Sequence, residues 1–211
     1  MTSSAIERTI SAILSLDEAD LEKLVHQSMA SMTPLQVAEE IISPALERIG
    51  ILWEEGTANL AQIFLGSRLC EDLLQRILPQ EAHWRKDSPV IAITNYDDHH
   101  SLGKKIVYMT LRSAGYDIID LGWTDANSIA LKVKEHQVEV LMVSTLMLRS
   151  ALKTREIPRL LREGRSSAVM VVGGAPFIFD PELAREVGAE ALGSSGADAA
   201  GIVQALLEAK K

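Results

Sequence analysis

The chain holds a single cysteine, Cys70, in 211 residues, which excludes a disulfide framework within the molecule. Cys70 sits in an apolar helical pattern, where a thiol reads as buried packing, and a reducing compartment fits. Aromatic residues make up only 4%, and positive charge is in deficit, with 21 Lys and Arg against 29 Asp and Glu and a formal net charge of −8. Nucleic-acid partners select a basic face, so none is expected. No apolar run approaches the roughly 20 residues that cross a bilayer, and the opening Thr2-Ser3-Ser4 lacks the basic and apolar regions of a secretory signal. The expectation is therefore a cytoplasmic protein without a membrane partner. What the chain does contain is 47% hydrophobic residues in periodic patterns, at a length that suits one large domain or two small ones.

Two different periods divide it. Up to about Gln80 the spacing is helical. The first helix, 4–15, carries Ile6, Ile10, Ile13 and Leu14; the second, capped by Asp17, carries Leu21, Leu24, Val25 and Met29. Thr33 with Pro34 opens a third, running through Val37, Ile41, Ile42 and Leu46 toward Trp53, with a kink expected at Pro44. A fourth, 58–78, presents Leu60, Phe64, Leu69, Leu73, Leu74 and Ile77. Residues 1–79 thus read as a four-helix bundle. Residues 80–88, polar and bounded by Pro79 and Pro89, read as a linker. From 89 to 211, apolar runs at 90–94, 117–121, 138–143, 168–172 and 189–192 alternate with five helices. That alternation predicts an α/β domain with a flavodoxin-like (Rossmann-type) five-stranded parallel sheet. Such sheets bind ligands beyond the C-terminal strand ends.

The residues that follow the strands are therefore the candidates. After the first strand comes Asn95-Tyr96-Asp97-Asp98-His99-His100-Ser101-Leu102-Gly103-Lys104-Lys105. A neutral imidazole in this loop can ligate a metal if its other ring nitrogen finds an acceptor, and Asp98, two residues before His100, can be that acceptor. His99 is an alternative ligand, and an Asp-x-His in a loop equally suits a solvated turn or a helix cap. Ser144-Thr145-Leu146 follows the third strand and Gly173-Gly174 the fourth; taken alone they suit a cap and a tight turn. In a flavodoxin-like sheet the first, third and fourth strands are neighbours. Their loops would then open one slot able to admit a long, flat group.

The combined set Asp98-x-His100-x-x-Gly103, Ser144-x-Leu146 and Gly173-Gly174 resembles the cobalamin-binding signature of methionine synthase, the coenzyme B12-dependent mutases and the corrinoid proteins of methyltransferase systems. The resemblance implies that His100 is the lower axial ligand of cobalt in a base-off/His-on cofactor, with Asp98 hydrogen-bonded to it. It implies that Ser144, Leu146, Gly173 and Gly174 line the slot for the displaced nucleotide tail, and that Gly103 lets the tail pass close to the backbone. Ser101 and Leu102 lie within the motif, although its most frequent form has Asp at the position of Ser101. Ser150 and the Gly196-Ala197-Asp198 turn also resemble family positions. In the helical half, Leu46-Glu47-Arg48-Ile49-Gly50 and Trp53-Glu54-Glu55-Gly56 are similar to the cap bundle that precedes cobalamin domains. Light-sensing relatives carry a Glu-His pair where this chain reads Gln62-Ile63-Phe64, which speaks against a photoreceptor. Trp53 and residues 60–65 either cover the upper face of the corrin or belong to the bundle core.

Gly103-Lys104-Lys105-Ile106-Val107 resembles the motif's continuation in methyl-transfer members. The implied role is a methyl carrier, with cobalamin cycling between Co(I) and methylcobalamin and with His100, Asp98 and Ser144 serving the chemistry. It would be a subunit rather than a complete enzyme. The implied partners are a substrate methyltransferase of an O-demethylase, methanol or methylamine system, a methyl-acceptor methyltransferase using tetrahydrofolate or a thiol, and an iron–sulfur reductive activase. The alternatives are a B12-dependent sensor, the small subunit of an adenosylcobalamin mutase, and a flavodoxin-like domain with another ligand or none.

Overall fold

The computed structural model describes residues 2–77, 88–97, 99–196 and 198–209, and the chain divides into two compact units, Met1–Gln80 and Glu81–Lys211. Asp98, Ala197 and nearly all of the segment read as a linker lie outside the described residues.

The first unit is all helical: α1 (Thr2–Ser15), α2 (Glu18–Ser28), α3 (Pro34–Val37), α4 (Ser43–Glu54) and α5 (Leu60–Ile77). Its starts are written locally. Asp17 accepts the Asp20 N–H, Thr33 and Gln36 form a reciprocal capping box, and Asn59 and Gln62 form another ahead of α5. Each helix buries one stripe, including Ile10 and Ile13, Leu21 and Leu24, Val37 and Ile42, and Leu73 and Leu74. The kink expected at Pro44 takes a different form. A π-helical stretch, Ala38–Ile42, joins α3 to α4, so the chain stays helical from Pro34 to Glu54. Proline has no N–H to donate, and the Ser43 N–H reaches back to the Ala38 carbonyl, widening the turn just ahead of the ring. Phe64, expected on the apolar face of α5, is exposed, as are Leu65 and Trp53. The core reading of these three residues is therefore wrong.

The second unit is a parallel sheet of β1 (Ile91–Tyr96), β2 (Ile118–Thr124), β3 (Val140–Ser144), β4 (Val169–Gly173) and β5 (Ala191–Gly193), in the order β2-β1-β3-β4-β5. All six residues of β1 are buried, as a central strand covered on both faces requires. One face packs beneath α6 (Leu102–Ser113) and α12 (Asp198–Ala209), around Ile93, Leu111, Tyr116 and Val203. The other packs beneath α7 (Ala126–Glu135), α8 (Leu148–Lys153), α9 (Glu156–Glu163), α10 (Ala175–Phe179) and α11 (Glu182–Glu186), around Ile129, Leu141, Ile157 and Phe177.

Two of the expected crossover helices are split, and proline accounts for both breaks. Pro158 cannot donate to the Thr154 carbonyl and its ring clashes there, so α8 ends with Thr154 as its cap. Asp180, held out of the helical region ahead of Pro181 at φ −133° and ψ 88°, separates α10 from α11. The strand ends also lie later than the apolar runs suggest. β2 continues to Thr124 through an irregularity in its pairing with β1, where Gly122 takes φ 72° and its carbonyl accepts the Thr94 hydroxyl at 3.0 Å. Among the described residues no helix is long and apolar enough to cross a membrane.

Candidate functional site

The register of the sheet aligns the C-terminal strand ends. Asn95 pairs with Trp123 on one side and Ser144 on the other, Ser144 pairs with Gly173, and Gly173 pairs with Gly193. The strand order reverses between β1 and β3, which is where a doubly wound sheet opens its crevice. The loop carrying His100 and the loop beginning at Ser144 flank that point.

Half-buried His100 precedes α6 and its backbone carbonyl accepts the Asn95 side-chain amide. Asn95 itself is 2% exposed, so this bond ties the loop to the buried end of β1. Asp97 takes φ 51°, a left-handed conformation that asparagine and aspartate tolerate best among residues with a Cβ. Its carbonyl accepts the Ser150 hydroxyl at 2.9 Å, and its carboxylate meets the Lys153 ammonium at 2.7 Å. The His99 ring stacks on Trp123 with centroids 4.7 Å apart, so the alternative ligand is engaged on the β2 side. Ser101 stands at the N-cap position of α6 without a side-chain capping bond, with half-buried Leu102 after it. Lys104, buried in that helix, holds both oxygens of Asp120 on β2 at 2.7 and 2.8 Å.

The second and third loops meet through backbone. Thr145 donates its N–H to the Gly173 carbonyl at 3.0 Å. Gly174 takes φ 119°, and a Cβ on it would lie 1.8 Å from the Thr145 carbonyl oxygen, so a side chain is excluded there by contact as well as by conformation. Across the slot, a Cβ on Gly103 would stand 3.5 Å from the Ser144 hydroxyl oxygen, so these two residues face each other. Ser144 is half-buried and Leu146 exposed.

The three motif segments therefore converge: Ser101, Leu102 and Gly103, then Ser144 and Leu146, then Gly173 and Gly174. Ser150 joins them, but its hydroxyl is spent on the Asp97 carbonyl. Gly196 does not; it follows β5 at the far edge, where its carbonyl accepts the Ala199 N–H. Asn95, Asp97, Trp123 and Lys153 also belong to the site and escape the sequence reading. Asn95 alone leaves a signal, as an amide closing an apolar strand, since the others act through contacts distant in sequence.

The donor set suits a metal that arrives with most of its ligands. Among the described residues no three His, Cys, Asp or Glu side chains gather to build a metal cage, whereas the loop beside the crevice carries half-buried His100. Beside it, the slot between Gly103, Ser144 and Gly173 is lined by small groups. Thr145, the residue after Ser144, is 1% exposed and its hydroxyl has no hydrogen-bond partner among the described residues. These features fit a flat macrocycle with a polar tail. Tyr96, which ends β1 and is buried in the core, is pushed up to about 12 by burial and then by the negative charge of Glu156.

Comparison with known proteins gives the same answer from outside the geometry. The chain is 28% identical to the trimethylamine corrinoid protein of Methanosarcina barkeri over 210 residues, 96% of each chain. Its fold matches the monomethylamine corrinoid protein of Methanosarcina barkeri with a TM-score of 0.85, at 21% identity over 98% of this chain and 100% of that one. It also matches, with a TM-score of 0.54 and 20% identity, a chain of the methanol:cobalamin methyltransferase complex MtaBC from Methanosarcina barkeri, covering 97% of this chain and 80% of that one. Models of the B12 binding domain match residues 5–78 and, over more than half of the chain, residues 88–203. The chain belongs to the B12-binding domain family, and cobalamin is its cofactor.

Proposed function

We propose that this protein is a corrinoid methyl carrier, which accepts a methyl group from a substrate methyltransferase and yields it to an acceptor methyltransferase. When bound, cobalamin supplies a cobalt that can take up and give up methyl. The chain's part is to hold and orient that cofactor. His100 would ligate cobalt through one ring nitrogen, while Asp98 would accept a hydrogen bond from the N–H of the other and keep the imidazole basic. Ser144, Leu146, Gly173 and Gly174 would receive the nucleotide tail, and Gly103 would leave room beside it. The observation that carries this reading is the aligned register of Asn95, Ser144 and Gly173, with Gly103 facing the Ser144 hydroxyl.

Both halves of the chain match B12-binding models, which supports the carrier over a mutase small subunit lacking a helical cap. Gln62 caps its own helix and donates to the Leu14 carbonyl at 2.9 Å, so it holds α1 against α5 instead of standing free to meet a cofactor ligand. That supports the carrier over a light sensor. The full-length similarity to a trimethylamine corrinoid protein favours a methylamine-type donor. The likeness to a chain of the methanol complex supports a methyltransferase as the docking partner. An iron–sulfur activase and an acceptor using tetrahydrofolate or a thiol complete the proposed system.

The test is reconstitution with hydroxocobalamin followed by gel filtration. The wild type should elute red, and His100→Ala should bind with a visible spectrum shifted toward a cobalt lacking the imidazole. A protein that retains no cobalt, or a His100→Ala spectrum identical to wild type, would overturn the proposal.

A further inference from the structure

The loop between β1 and α6 is held by α8, a helix that belongs to a different crossover. Ser150 and Lys153 are three residues apart and so share one face of α8. Ser150, 2% exposed, donates to the Asp97 carbonyl at 2.9 Å, and the Lys153 ammonium lies 2.7 Å from the Asp97 carboxylate. Asp97 needs such support. Its φ of 51° is a conformation that residues with a Cβ adopt at a cost, and it persists where neighbouring contacts over-determine it. Beyond it the loop is fixed by the Asn95 amide on the His100 carbonyl and by the stack of His99 on Trp123.

We propose that Lys153 is a positioning residue: through its ion pair with Asp97 it sets the loop that aims His100 and locks that loop to the Ser144 loop, from which α8 springs. The inference rests on the reading of His100 as the cobalt ligand. Lys153 touches neither metal nor tail in this scheme; it acts through the backbone three residues ahead of the imidazole. Because both side chains are about one-third exposed, the pair is accessible to counterions, and its effect should weaken with salt.

The experiment uses the full chain loaded with hydroxocobalamin and reduced to Co(II). In the electron paramagnetic resonance spectrum an axial imidazole splits each cobalt line into three through its nitrogen. The wild type should show this triplet and His100→Ala should lose it. Lys153→Met should still bind cofactor, with the ratio of imidazole-ligated to unligated cobalt lowered about two- to fivefold, the range of a partly exposed ion pair. Lys153→Arg should restore the ratio. Asp97→Asn, which keeps tolerance for left-handed backbone but loses the charge, should match Lys153→Met, and the double variant should be no worse than either. Raising the salt to 1 M should move wild type in the same direction and leave Lys153→Met unchanged.

Hydrogen exchange on the apo-protein is the control for folding: Lys153→Met should accelerate residues 97–100 and leave β1 and β3 protected. Acceleration throughout the α/β unit would overturn the inference, by making the pair a general stabiliser. A wild-type ratio in Lys153→Met, with the triplet still lost in His100→Ala, would overturn the inference and spare the ligand assignment. Retention of the triplet in His100→Ala would overturn both.

Discussion

Gly174→Ala isolates the contact that closes the slot from below. The backbone at φ 119° and ψ 171° lies in a region that is nearly glycine-only, which costs about 1–3 kcal/mol for a residue with a Cβ. The new methyl would stand 1.8 Å from the Thr145 carbonyl oxygen and 2.9 Å from its carbonyl carbon, inside the roughly 3 Å that real Cβ atoms respect. Both obstacles are backbone, so no side chain can swing aside. Thr145 would have to retreat, stretching its 3.0 Å hydrogen bond to the Gly173 carbonyl, worth about 1 kcal/mol, and overpacking adds about 1–3 kcal/mol. The expected loss is about 5 kcal/mol. At about 2–4 °C per kcal/mol for a chain of this size, the unfolding midpoint of the apo-protein should drop by roughly 10–20 °C. Gly103→Ala is the counterpart. Its Cβ meets only the Ser144 hydroxyl at an ordinary 3.5 Å, and it sits in the first turn of α6, where alanine is favoured over glycine by up to about 1 kcal/mol. It should leave the midpoint unchanged or higher, while weakening retention of hydroxocobalamin on gel filtration. Thermal unfolding followed by circular dichroism compares the two. A Gly174→Ala protein within about 0.5 kcal/mol of wild type would refute the steric argument.

The remaining predictions concern groups around the site and in the helical unit. Lys104 is buried while its partner Asp120 is 43% exposed, so the pair should respond asymmetrically: Asp120→Ala strands a buried cation and should cost about 2–4 kcal/mol in urea unfolding, whereas Lys104→Met lets Asp120 rehydrate and should cost less than about 1 kcal/mol. Equal losses would contradict this account. Burial, reinforced by the Glu71 charge, pushes the Cys70 thiol up to about 12, so a thiol reagent at pH 8 should label the folded chain only as fast as it opens, and one thiol at once in denaturant. Tyr96 titrates near 12 when folded against about 10 when unfolded; below pH 10 both states keep the proton, and between 10 and 12 only the unfolded chain releases it. Stability should therefore fall as pH rises through that window, and Tyr96→Phe should show a shallower slope in denaturant unfolding across it.

What could be read from the linear order of residues was whatever depends on near neighbours. Asp17, Thr33 and the apolar stripes announce helices because capping and 3.6-residue periodicity act within a few positions. The five apolar runs announce a parallel sheet for a similar reason: strands covered on both faces lose polar alternation. The segments around His100, Ser144 and Gly173 were legible as a set because loops that follow adjacent strands must share one end of the sheet. Where the apolar run stops, however, the strand does not. Trp123 lies beyond Gly122, and only the irregular pairing of β2 with β1 brings it opposite Asn95, with its ring against His99. Likewise Phe64 fits a helical stripe on α5, yet which stripe faces inward depends on the helices around it, and Phe64 was left outside.

Helix starts, strand number and the motif loops thus belonged to the chain's local chemistry, because caps, prolines and apolar period act over a handful of residues. The hold of Lys153 and Ser150 on Asp97, the Asn95 bond beneath His100 and the closure of Gly174 on Thr145 belonged to the folded state alone. Lys153 and Asp97 are 56 positions apart, and only the crossover from β3 into α8 brings their charges within reach.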